Sequence, residues 1–173
     1  MGRPQYKPAM FSKTPKTHKY QGPQQPYFVV HFSPQNKPTI RAKRFSVDTR
    51  MHLFAFRTKV QHLWAMREKG DLWWSASAHG EVSSEKSVIR SWCTRRVRTA
   101  FRDALRAHGY DNCGRRIPDI ERKDGVPQSQ LEVLKGSLEL HVRLAVKGAK
   151  YTDLVRQSER VVESIEQYLI RLR

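Results

Sequence analysis

The first 47 residues contain no aspartate or glutamate; the first acid in the chain is Asp48. Over all 173 residues there are 16 acids against 33 Lys and Arg, a formal net charge of +17 and a sequence pI of about 10.4. Self-repulsion on that scale makes sense opposite a dense line of negative charge. Nucleic acid is the first such partner and an anionic membrane surface the second. Cysteine is scarce. Cys93 and Cys113 are the only two, too few for a disulfide framework and not spaced as Cys-x-x-Cys. They read as reduced thiols in a reducing compartment. No stretch approaches the ~20 apolar residues of a membrane span, and the N-terminus lacks the apolar run of a secretory signal. Aromatics are present: four Trp, six Tyr and seven Phe within a 38% hydrophobic fraction. That is lean, but it supports one core and excludes wholesale disorder.

Catalytic signatures are also missing. There is no Walker loop, no Gly-x-Gly-x-x-Gly and no Gly-x-Ser-x-Gly. The seven histidines are scattered, with no His-x-x-x-His pair; His52 and His62 are ten apart on one expected helix. Cys93, His108 and Cys113 are near in sequence, but Cys93 belongs to an apolar stripe, which argues against zinc. Asp119, Glu121 and Asp124 are interleaved with Arg122 and Lys123 and read as a solvated loop. The expectation is a protein that is not an enzyme, with no cofactor, no metal and no small-molecule substrate.

Residues 1–26 read as an extended basic tail. Seven of the nine prolines lie within residues 1–47, and few apolar groups are there to bury. A single α+β domain is expected over 27–173. Tyr27 to Phe32 is aromatic and β-branched, so it predicts a strand, with Thr39–Phe45 as a plausible partner. A helix is expected from about Asp48 to Lys69, with Leu53, Phe56, Val60, Leu63 and Trp64 on one face. Leu72–Ala76 predicts a short strand. A second helix is capped by Ser83 or Ser84 and stopped by Gly109. Its stripe is Ile89, Cys93, Val97, Ala100, Phe101, Ala104 and Leu105. Leu138, Leu140, Val142, Leu144 and Val146 alternate with polar residues and predict a strand with one wet face, paired in a hairpin with Leu131 and Val133. A last helix is expected from Thr152, its cap, to Leu172. The order predicts a small, mainly antiparallel sheet with three helices packed on one side.

The chemistry-bearing features are basic. Arg95, Arg98, Arg102 and Arg106 recur at spacings of 3, 4 and 4 and line one face of the second helix. Arg96, Arg90 and Lys86 widen it. Like charges at such spacings disfavour an isolated helix by ~0.2–0.5 kcal/mol per pair, so the row fits best opposite phosphates. The blander alternative is a solvated face. In the tail, Lys7, Lys13, Lys16 and Lys19 interleave with Tyr6, Phe11, His18 and Tyr20, a pattern for phosphates and unpaired bases. The alternative there is a leader or targeting peptide, though its prolines forbid an amphipathic helix. Arg41, Lys43 and Arg44 could grip a backbone or guard a strand edge. Trp73 and Trp74 point to opposite faces of a strand, and cover for both is expected over a stacking platform.

The acid-free stretch 1–47 and the face Arg90, Arg95, Arg98, Arg102, Arg106 together resemble accessory proteins of the ribosome, with an organellar type fitting slightly better than a cytosolic one. That resemblance implies a structural rRNA-binding component of a mitochondrial ribosome, with neighbouring proteins and no membrane partner. The second helix between expected strands also resembles the protein subunit of bacterial ribonuclease P, a family with an Arg-rich helix docked on a sheet. It implies an RNA-processing enzyme or its protein cofactor. A DNA-binding or nucleoid protein is the third expectation.

Overall fold

The computed structural model describes residues 18–19, 27–39, 54–118 and 131–172. The order of elements is β1 (His18–Lys19), β2 (Phe28–Ser33), α1 (Phe54–Ala65), β3 (Leu72–Ala78), α2 (Glu81–Ser84), α3 (Ser87–Ala107), β4 (Gly136–Val142), a short 3-10 helix (Leu144–Lys147) and α4 (Tyr151–Arg171). The fold is α+β. Its sheet has the order β1-β2-β4-β3, antiparallel at β1–β2 and β2–β4 and parallel at β4–β3. The parallel pair follows from connectivity: α3 crosses over between β3 and β4, as two parallel neighbours require. β1 lies within the span expected as tail and pairs with the outer edge of β2.

One face of the sheet carries the core. Phe28, Val30 and Phe32 on β2, Leu138, Leu140 and Val142 on β4, and Leu72 and Ala76 on β3 are buried. They meet Cys93, Val97, Ala100, Phe101, Ala104 and Leu105 of α3 and Leu154, Val161, Val162, Ile165 and Leu169 of α4 in one cluster. Trp74 packs its ring 4.8 Å from Phe101, and Phe32 meets Tyr168 edge-on at 5.9 Å. The α3 stripe is the one its 3.6-residue periodicity predicts, with Ile89 at its end only partly covered. α1 lies on the other face, where Trp64 packs 4.9 Å from Trp73.

Several expectations change. The described first helix spans Phe54–Ala65, and its stripe is only lightly covered: Leu63 is 55% exposed. The second helix starts later than its expected caps, at Ser87, because Glu85 is extended (φ −68°, ψ 161°) and Ser83 and Ser84 belong to a separate short helix, α2. Ser83 and Ser84 therefore do not cap α3. Their hydroxyls donate to the Gly80 and Glu81 carbonyls within the α2 turn. β4 stops at Val142, and Leu144 to Lys147 turn into the 3-10 helix. Nor is one face of β4 wet: Ser137 and His141 are buried, because the Lys37 backbone lies on the Ser137 hydroxyl and His31 and His79 pack against His141. Val133 bridges Arg115 rather than forming a hairpin with β4. The last helix begins at Tyr151, so Thr152 is inside it and Lys150 takes the cap position. Thr39 is not in a strand, and residues 40–45 of its expected strand lie outside the described residues, as do Asp48 and Leu53.

Two devices hold the start of β3 and β4. Gly136 opens β4 at φ +123°, and a Cβ there would lie 2.4 Å from the Ser33 carbonyl oxygen. Only glycine fits both the conformation and the space. Arg115 donates through Nε and Nη2 to both carboxylate oxygens of Asp71 (2.9 and 3.0 Å) and also pairs with Glu68. The Leu72 N–H donates to the Cys113 carbonyl at 2.8 Å, completing the clasp.

Candidate nucleic-acid interface

Among the described residues β3 pairs only with β4, so its far side is a sheet edge. In a parallel strand alternate residues turn both backbone groups to one side. His79 donates its N–H to Val142 on β4, whereas Leu72 donates outward to Cys113. Ala76 shares the parity of Leu72, and its outward carbonyl accepts a hydrogen bond from Arg98 Nη2 at 3.1 Å. That contact ties α3 to the strand edge. Between them lies an open groove of about 620 Å³.

Four arginines line it: Arg90, Arg95, Arg98 and Arg102. They span about 18 Å of helix axis at 1.5 Å per residue. Ser83, Ser91, Thr94 and Thr99 lie among them, and Ala76, Ser77 and Ala78 form the strand wall. No carboxylate, amide or aromatic side chain is in the lining. Two of the guanidiniums are anchored. Arg98 holds Ala76, and Arg90 donates to the Ser83 carbonyl at 2.9 Å. Arg95 and Arg102 are exposed and make no ion pair or hydrogen bond among the described residues. The helix tolerates this row because its opposite face is fully buried, from Cys93 to Leu105.

The structure thus brings together four of the expected site residues. Lys86 sits at the cap position of α3 and Arg106 in its last turn; both are exposed and outside the groove. Lys19 is in β1, in register with His31. Lys7, Lys13, Lys16, Arg41, Lys43 and Arg44 lie outside the described residues. Arg96 does not widen the arginine face. It points to the other flank, donates to the carbonyls of Val146 (3.0 Å) and Ala149 (2.7 Å), and stacks on Trp92 at 4.7 Å. It fastens the 3-10 turn to α3. The hydroxyl groups of the groove carry no charge pattern in the sequence, unlike its arginines. The signal that finds them is their i±4 spacing to arginine: Ser91 to Arg95, and Arg95 to Thr99.

Neither tryptophan of β3 is a spare platform. Trp73 is buried and donates to the Glu68 carbonyl; Trp74 is half-buried and donates to the Asn112 carbonyl. A titratable cluster sits inside the core instead. The Tyr110 hydroxyl donates to Glu166 Oε1 at 2.8 Å, and His108 Nδ1 lies 3.6 Å from Glu166 Oε2. It is sealed from solvent and pins α4 to the end of α3. Cys113 is exposed, and its thiol pKa is pushed up by partial desolvation and by Asp111 and Asp71. Among the described residues no group of three or more His, Cys, Asp or Glu is placed to hold a metal ion. None of the described helices is long and apolar enough to cross a membrane.

Fold and site together define an α+β domain with an arginine-lined groove at a sheet edge. Comparison with protein-family models, curated proteins and solved structures finds no match for the chain.

Proposed function

We propose that this protein binds RNA through the α3–β3 groove and serves as a noncatalytic, structural subunit of a ribonucleoprotein. The observation that carries the reading is the groove lining itself: four guanidiniums and no carboxylate. Guanidinium groups suit bidentate contact to phosphate. The acid-free first 47 residues add sequence-independent attraction to the same polyanion. The setting that fits the whole composition is a ribosome of mitochondrial type, with rRNA as ligand and ribosomal proteins as neighbours.

One observation favours a second reading. α3 is an Arg-rich helix docked against a sheet, the arrangement that carries the resemblance to the ribonuclease P protein subunit. In that setting the chain is the protein cofactor of an RNA-processing particle, and its arginines hold the RNA that does the chemistry. A nucleoid protein would use the same charge on duplex DNA.

The experiment is binding of structured RNA by the full chain and by the Arg95→Gln/Arg98→Gln/Arg102→Gln variant over a salt series. The proposal expects weaker binding across many RNA sequences and a shallower salt slope. Unchanged affinity overturns it. Sequencing RNA that co-purifies with the chain separates the settings: rRNA supports the ribosome and a processing RNA the second reading.

A further inference from the structure

Resting on that reading, the groove's own chemistry names more than phosphate. Along α3, Ser91, Arg95, Thr99 and Arg102 follow one another at steps of four, four and three. On a helix this places them in a single strip about 16 Å long, alternating hydroxyl and guanidinium. All four line the groove and all four are exposed. Thr94 and Ser83 spend their hydroxyl protons on the Arg90 and Gly80 carbonyls. The Ser91 and Thr99 hydroxyls make no hydrogen bond among the described residues.

Phosphate oxygens only accept hydrogen bonds, so a wall for phosphate needs donors alone, and arginine supplies them. A hydroxyl donates and accepts at once. Its match on a nucleic acid is the ribose 2′-hydroxyl, which does the same and is absent from DNA. The rest of the lining narrows the form of the RNA. No aromatic ring is present to stack on a splayed base, and with no amide or carboxylate the lining lacks the pairings that read adenine and cytosine. Arginine can stack on a base or pair with guanine, but Arg90 and Arg98 are held by the Ser83 and Ala76 carbonyls, and Arg95 and Arg102 are the two left for phosphate. Such a lining favours bases that are already stacked on one another. Helical RNA meets that condition and displays its 2′-hydroxyls on a wide, shallow minor groove.

We infer that the α3–β3 groove is a ribose-phosphate reader for duplex RNA: Arg95 and Arg102 hold phosphates, and Ser91 and Thr99 exchange hydrogen bonds with ribose 2′-hydroxyls between them. The site selects RNA over DNA without selecting sequence.

The test measures affinity of the full chain by fluorescence anisotropy at one salt concentration. The probes are an RNA duplex, the DNA duplex of the same sequence and the corresponding single-stranded RNA. The variant is Ser91→Ala/Thr99→Ala, checked for a native thermal melt; alanine favours the helix at both positions. The wild-type chain should prefer the RNA duplex over both other probes, by roughly tenfold over DNA. The variant should lose roughly tenfold on RNA and nothing on DNA, with its salt slope unchanged. Equal wild-type affinity for the two duplexes, equal losses on both in the variant, or equally tight binding of single-stranded RNA overturns the inference and leaves RNA binding standing. Binding to no RNA at all overturns the underlying reading as well. Should the variant melt early, the wild-type chain with a 2′-O-methylated RNA duplex gives the same contrast: retained affinity overturns the inference.

Discussion

Arg96 and its neighbours Arg95 and Arg98 have the same side chain and different work. Arg96 clasps the Val146 and Ala149 carbonyls and covers Trp92, so its truncation acts on the fold. Arg96→Ala should cost about 1–3 kcal/mol in denaturant unfolding while leaving the salt slope of RNA binding unchanged. A slope change without a stability change would place Arg96 on the RNA side. Gly136→Ala meets both a positive φ and the Ser33 carbonyl. A loss of about 2 kcal/mol or more is expected in the same measurement, and a neutral result would contradict the β4 geometry. Tyr151 ionises late. Burial first, and then the hydrogen bond to Asp103, push its pKa from 10.0 to about 12. Because the folded state holds this proton more tightly, the contribution is fully present below about pH 10 and is lost as pH rises toward about 12. Tyr151→Phe should therefore lessen the alkaline fall in stability between those pH values, as read by unfolding at several pH values.

At the scale of elements, what the sequence shows and hides has physical causes. α3 and α4 are legible because their stripes repeat at the helical period and are long enough to exclude a strand. Their boundaries are less so: the extended Glu85 that separates α2 from α3 has no signal of its own. β4 misleads because alternation reports that two faces differ, not that one is wet. Glu139 and His141 sit on the face opposite α3 and α4, where His79 stacks on His141 at 4.6 Å and His31 packs against it at 4.5 Å, covering it. The parallel β3–β4 pairing depends on where the chain returns after residue 107, and local pattern carries no such information. The groove is half legible for the same reason. Its arginines show in the spacing on α3, but its strand wall, Ala76 to Ala78, joins them only through tertiary pairing.

For the whole molecule, a charge of +17 favours a polyanionic partner but carries no information on where one would bind. The fold localises part of that charge, placing four guanidiniums beside one sheet edge and turning a fifth, Arg96, to structural use. Two faces of α3 thus differ: one seals the core and the other, lined by arginines, stays open beside the β3 edge. The measurement that tests this most directly is the salt dependence of RNA binding for the wild-type chain and for Arg95→Gln/Arg98→Gln/Arg102→Gln. Each lost phosphate contact should flatten the slope by about 0.7–0.9 log units per log salt, with affinity reduced on every structured RNA tried and the thermal melt retained. A variant that binds as tightly as the wild type, with the same slope, would contradict the account.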